Sequence, residues 1–311
     1  MAFSLDNINS KVKENPKAFA EGCEKLFNAK VNTAATMIVD RLPQSRVVLL
    51  SGPSGSGKTT TAKKICDVLE SRGIRATSIS MDKYYNPPDP DTMPLTAEGE
   101  VDRESPLCLD LDLLRRHFSM IERGEEIVVP HFSFRMQALD PSRFEPLKLG
   151  SGEIVIFEGI HALNDLLADA HPQAFKLYIS ARSDVMRDGR IAFKRTWIRL
   201  LRRVVRDELF RGTGATETLK MWANVRRGEK QYISPFKQKA DLLFDSSMEY
   251  EISVMKRHAQ NAFHKLPDTT ERIGELRSLL PVLAEFEDID TQDVPTDSIL
   301  REFIGGGVYT Y

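Results

Sequence analysis

The sequence predicts an α/β protein built on a doubly wound parallel sheet. Short apolar runs at 46–51, 76–81, 154–157 and 176–180, with 242–244 as a further candidate, alternate with segments of helical spacing. The first run is followed at once by a cluster of glycines and then by a helical stretch, the order expected of a central strand and its crossover helix. The chain has 311 residues, 41% hydrophobic and 28% charged, which suits two units or one large domain with attachments. That composition excludes a disordered tail, a collagen-like chain and a coiled-coil rod.

Taken in order, residues 1–45 read as a helical lead-in, with Phe19, Cys23, Leu26 and Phe27 at the three- and four-residue spacing of a buried stripe. The main domain is expected over 46–250. Within it 59–69 reads as a helix, with Ala62, Ile65, Cys66 and Leu69 on one face and Gly73 at the stop position. Residues 86–94 carry four prolines and read as a loop beside a strand end. Helical pattern returns over 273–286 and in the closing Ser298–Gly307 stretch, so 251–311 is expected to be a helical C-terminal extension packed on the main domain.

Lys and Arg number 43 against 45 Asp and Glu, a formal net charge of −2, so no global attraction to nucleic acid or anionic lipid is expected and anion binding must be local. Cys23, Cys66 and Cys108 form no C-x-x-C pair, which suggests neither a disulfide framework nor a zinc site. The N-terminus lacks the apolar run of a signal peptide, and no segment reaches the ~18 apolar residues of a membrane span. A cytoplasmic protein is expected. Trp197, Trp222 and the C-terminal helix read either as a homo-oligomer contact or as aromatics buried inside one chain.

Gly52-Pro53-Ser54-Gly55-Ser56-Gly57-Lys58-Thr59 fits G-x-x-x-x-G-K-[ST] at every fixed position and lies between an apolar strand and a helix. Glycines let backbone amides turn inward on a triphosphate, and the helix N-terminus adds partial positive charge. Lys58 is expected on the β- and γ-phosphates and Thr59 on Mg²⁺, with Thr60 beside it on the nucleotide, ATP or GTP.

Open parallel sheets bind ligands at the carboxyl edge of their strands, so the other strand ends decide what accepts the phosphoryl group. The second strand ends in Ser80-Met81-Asp82, and Asp82 reads as a general base for a substrate hydroxyl, or as a turn cap. The third ends in Glu158-Gly159; Glu158 reads as the metal-side acid, or as a partner of Lys58 or an arginine. From Arg182 to Arg211 there are ten Lys or Arg against four Asp or Glu. Arg199, Arg202, Arg203 and Arg206 share one helix face, which reads as a phosphate-closing lid, a solvated face or an RNA-binding helix.

The segments GPSGSGKT, SMDKYY, IFEGI, RLLRRVVRD with FRG, and PFKQKAD, in that order, resemble the uridine kinase and phosphoribulokinase family of P-loop kinases over about 46–250. Residues 224–229 and the closing SILREFIGG look like the longer uridine-kinase-like proteins that often carry a TGS domain, a module this sequence does not show. The resemblance implies the P-loop NTPase kinase fold with an arginine-rich lid. It implies Asp82 as base, Glu158 with Thr59 at the metal, and Lys58, Arg199 and Arg202 as catalytic groups on the phosphoryl. Arg206 falls to the nucleotide, and Tyr84, Glu104, Phe132, Gln137 and Arg211 fall to the acceptor.

Glu104 matches an acid that holds ribose hydroxyls, or is an exposed loop charge. Phe132 and Gln137 stand where the nucleoside kinases usually carry Tyr and His, and Trp197 stands near a position commonly acidic. The expected activity is ATP- and Mg²⁺-dependent transfer to a small acceptor, first the 5′-OH of uridine or cytidine, alternatively a sugar phosphate or other small alcohol. A nucleotide-dependent switch or RNA-associated NTPase is the reading from another class.

Overall fold

The computed structural model describes residues 2–268 and 273–310. Helices α1 (Leu5–Glu14) and α2 (Pro16–Arg41) precede the first sheet strand, β1 (Val47–Ser51), and α3 (Lys58–Ser71) follows it. Then come β2 (Ala76–Ser80), α4 (Leu111–Glu122), β3 (Ile154–Glu158), β4 (Phe175–Ser180), α5 (Arg195–Phe210) and α6 (Ala215–Gly228). The frame closes with β5 (Leu242–Asp245), α7 (Glu251–His264) and α8 (Ile273–Ala284). The five strands are all parallel, in the order β5-β4-β1-β3-β2.

Every residue of β1 is buried because helices cover both faces of the sheet. Val48 and Leu50 point to the side packed by Phe27, Val31, Ile65, Leu69 and Met255. Val47 and Leu49 point the other way, toward Phe118, Ile121 and Phe157. Leu50 and Ser80 both pair with Glu158, so β1, β3 and β2 finish level. That register delivers the segments after β1 and β2 and the last residue of β3 to one edge.

The lead-in differs from its sequence reading in two ways. Leu26 is 67% exposed, because the buried side of α2 is centred on Cys23, Phe27, Val31, Ala34 and Ile38 and Leu26 falls outside that arc. Residues Ala2–Ser4 form a short strand that pairs in parallel with Asp184–Arg187, which in turn pairs with Arg190–Phe193. Asp188 and Gly189 both take positive φ at the tip of that hairpin. The closing segment is helical for a single turn, Arg301–Ile304, and Gly305 leaves it at φ 77°. Trp222 is buried and Trp197 half-buried with its ring on Phe193 at 5.5 Å, so packing within one chain accounts for both. Among the described residues no helix is long and apolar enough to cross a membrane.

Candidate active site

The glycine loop leaves β1 at Gly52, where a Cβ would run into the carbonyl of Ile179 on β4. Gly57, the residue before α3, takes φ +79°, a conformation side chains resist, and Ile299 fills the space its own Cβ would need. Lys58 opens α3. Its ammonium is pushed below the ordinary lysine value by burial, against the pull of Glu158, Asp82 and Glu302. The Thr59 hydroxyl donates to Glu158 Oε1 at 3.1 Å.

Glu158 is 5% exposed. Burial, with Asp82 adding to it and Lys58 opposing it, pushes its carboxyl up to about 7. Among the described residues no group of three or more His, Cys, Asp or Glu is placed to hold a metal alone. A hydroxyl and one buried acid instead fit Mg²⁺, which binds through one or two protein oxygens and takes the rest from phosphates and water.

Asp82 lies in a tight turn, Met81–Tyr84, and its own N–H donates to the capping Ser80 hydroxyl at 3.3 Å. Its carboxylate is open to solvent on one side, and the protein enclosing its other sides raises its pKa while Lys58, Arg211 and Arg206 pull it down. In such a turn residues three apart eclipse, so Tyr85 shares the face of Asp82 and Tyr84 does not. Tyr84 is 1% exposed, donates or accepts at His117 Nδ1 at 2.9 Å and packs edge-on to Phe157. It is a core residue, not an acceptor contact. Burial, then the Asp82 and Glu104 carboxylates, push the Tyr85 phenol well above its ordinary value.

Two of the arginines read as phosphoryl-neutralising lie elsewhere. Arg202 is fully buried, with Nε on Glu251 at 2.6 Å, Nη2 on the Ser246 carbonyl at 2.8 Å and Nη1 on the Gly55 carbonyl at 3.2 Å. Arg199 is 3% exposed and places Nη1 2.9 Å from both oxygens of Glu229, over the Trp222 ring. The helix face is cationic as read, but Glu229 and Glu251, distant in sequence, draw these two behind the loop. Arg206 is held by Asp207 at 2.7 Å, and Arg211 keeps most of its side chain exposed. These two act electrostatically on Asp82.

On the acceptor side, Glu104 is half-buried against Gly228, its carboxyl raised by burial against the pull of Arg203. Asp102 accepts the Glu104 N–H at 3.2 Å and is itself bound by Arg227 at 2.6 Å and the Tyr232 hydroxyl at 2.8 Å. Phe132 is buried between Tyr85 and Phe134, with ring centroids 5.9 and 5.2 Å away. Gln137 sits at positive φ on the exposed tip of the hairpin that pairs Phe132–Ser133 with Ala138–Leu139. Its amide donates to the Phe134 carbonyl at 2.6 Å and is turned into its own hairpin.

Two groups escaped the sequence reading. His161, just past β3, is 1% exposed with no hydrogen-bond partner on either ring nitrogen, and burial lowers its pKa to about 4. Its closeness to Glu158 in sequence was the available signal. Glu302, from the closing turn, accepts the Thr60 hydroxyl at 2.6 Å and the Thr60 N–H at 3.3 Å. Nothing in the local sequence points to that contact. The structure thus gathers Lys58, Thr59, Asp82, Glu158, Arg206 and Arg211 at one edge with Glu104 nearby, and leaves Tyr84, Gln137, Arg199 and Arg202 out of the cleft.

A Staphylococcus epidermidis uridine kinase is 28% identical over 228 residues, covering 71% of this chain and 99% of its own length. A uridine kinase from Halobacterium salinarum is 29% identical over 202 residues, covering 62% and 77%. Among solved structures, a candidate fructose transport system kinase from Silicibacter sp. TM1040 matches with TM-score 0.50 at 18% identity, over 69% of this chain and 98% of that one. It supports the fold. The model of the phosphoribulokinase / uridine kinase family matches residues 47–253, from the first residue of β1 into α7. With the loop, the level strand ends and the two carboxylates in place, the chain belongs to the phosphoribulokinase / uridine kinase family of P-loop kinases.

Proposed function

We propose that the protein transfers the γ-phosphoryl group of MgATP to a hydroxyl of a small acceptor, first of all the 5′-OH of uridine or cytidine. The observation that carries this is Asp82, a solvent-exposed carboxylate at the strand edge within electrostatic reach of both Lys58 and Tyr85. In this reading the acceptor oxygen attacks the γ-phosphorus, its proton passes to Asp82, the bond to the β–γ bridging oxygen breaks and ADP leaves. Lys58 and the backbone N–H groups of the loop hold the phosphates, while Arg206 and Arg211 offset charge as it develops. Thr59 and Glu158 would hold Mg²⁺, which supplies further charge neutralisation.

The test is acceptor-dependent ADP release. Asp82→Asn is expected to lower kcat by roughly 10²- to 10⁴-fold while MgATP binding stays within about twofold. Full turnover in that variant removes Asp82 from the role of base. A second reading keeps the mechanism and changes the acceptor to a sugar phosphate or other small alcohol. It is favoured by Gln137, whose amide is spent on its own hairpin, and by Phe132, which offers a ring without a polar tip. Uridine, cytidine, ribulose 5-phosphate, pantothenate and simple polyols, compared by kcat/KM, separate the two.

A further inference from the structure

Three arginines of α5 touch the nucleotide loop, two at backbone carbonyls and one at a side-chain hydroxyl. Arg199 Nε donates to the Ser54 carbonyl at 3.1 Å, Arg202 Nη1 to the Gly55 carbonyl at 3.2 Å and Arg203 Nη1 to the Ser54 hydroxyl at 2.8 Å. Two of these bonds go to successive peptide units. A trans peptide is planar, with its N–H directed opposite to its C=O. Fixing the Ser54 carbonyl therefore fixes the Gly55 N–H, and fixing the Gly55 carbonyl fixes the Ser56 N–H.

We infer that Arg199 and Arg202 are positioning residues that hold the loop in its phosphate-binding shape: Arg199 aims the Gly55 N–H away from α5 and toward the nucleotide's phosphates, and Arg202 fixes the Gly55–Ser56 peptide, whose N–H closes the turn on the Pro53 carbonyl at 3.2 Å. The inference rests on reading the loop as a nucleotide site and on nothing about the acceptor. Arg202 also ties the loop to the residue after β5 through the Ser246 carbonyl and to the first residue of α7 through Glu251. A buried arginine–glutamate pair is seldom more stabilising than apolar side chains of the same volume. What an apolar pair lacks is a donor for the Gly55 carbonyl. Stability alone leaves the pair unexplained; loop orientation explains it.

Arg199→Met is the cleaner variant, because Glu229 keeps a second partner in Arg226 and no buried carboxylate is stranded. Arg202→Met combined with Glu251→Met removes both charges of the inner pair together. Binding of MgATP, MgADP and adenosine is measured without any acceptor, alongside thermal melting. In variants that melt within a few degrees of the wild type, MgATP and MgADP are expected to bind about tenfold more weakly or worse, with adenosine within about twofold.

An unchanged ratio of MgATP to adenosine affinity in folded variants overturns the inference. Equal weakening of all three ligands also overturns it, since that marks general disruption. If the double variant fails to fold, Arg199→Met alone decides. A wild-type protein that binds no MgATP would instead sink the nucleotide reading itself, a result distinct from either.

Discussion

On the nucleotide side of the cleft, eight consecutive residues form the loop and α5 backs it with the buried Arg199–Glu229 and Arg202–Glu251 pairs. On the acceptor side, Tyr85, Glu104, Phe132 and Tyr232 come from four separate segments, and the hairpin carrying Phe132 leaves Phe134 and Met136 more than half exposed. The first side is a rigid platform whose chemistry tolerates little change. The second is a set of loops on that platform, where specificity can vary without disturbing the fold. A shared reaction with a divergent acceptor is what such a division produces.

The contrast breaks first at Lys58. Lys58→Ala should cost roughly 10²- to 10³-fold in kcat by removing charge from the transferring phosphoryl. Wild-type rates in steady-state assays would undo the platform reading. On the other side, Tyr85→Ala is expected to raise the acceptor KM about tenfold, whereas Tyr84→Phe should leave kcat/KM unchanged and cost about 1 kcal/mol of stability through the lost bond at His117. Reversed behaviour of these neighbours would mean that the turn after β2 presents its other face.

Smaller effects sharpen the same division. Glu302→Gln takes a negative charge from the N-terminus of α3, so MgATP should bind roughly three- to tenfold more tightly. Weaker binding would show that Glu302 serves only to cap the helix. Glu158 offers a pH signature. Its folded carboxyl lies near 7 against an ordinary 4.5, so the folded state retains a proton that the unfolded chain releases in that window. Stability from this group is present below 4.5 and lost as pH rises through 7.

In nucleotide-free protein, Glu158→Gln should therefore melt roughly a few degrees above wild type at pH 8 and level with it near pH 4.5. A constant offset across melting curves at both values contradicts that sign. Last, Gln137→Ala should change kcat/KM by less than about twofold, as its amide is bonded within the hairpin. A tenfold loss would return Gln137 to the acceptor pocket.

What the sequence revealed follows this division. The loop, the apolar strands and the two edge carboxylates were legible because each is local: a glycine pattern, a run of four or five apolar residues, an acid at the end of such a run. The placement of Arg199 and Arg202 was not, since their acids lie 30 and 49 residues downstream and only folding brings them together. The resemblance gives Tyr84 to the acceptor, and nothing in the local sequence marks the three-residue turn that hands that face to Tyr85. The hairpin beneath the lead-in did carry a signal, Asp188-Gly189 between short alternating runs, which the weight of surrounding arginines concealed. Acceptor contacts stayed illegible because loop geometry, unlike strand spacing, leaves no period to read.

Ile299 and Glu302 touch the start of α3 from a stretch of chain translated 242 residues after Thr60. During synthesis the nucleotide loop therefore emerges long before its last neighbours exist, with Ile299 not yet on Gly57 and Glu302 not yet on Thr60. A nascent chain or a C-terminally truncated one would hold a half-finished loop, competent in sequence yet short of its final shape. Fusions placed at the C-terminus should accordingly be judged by their effect on nucleotide affinity, not by solubility alone.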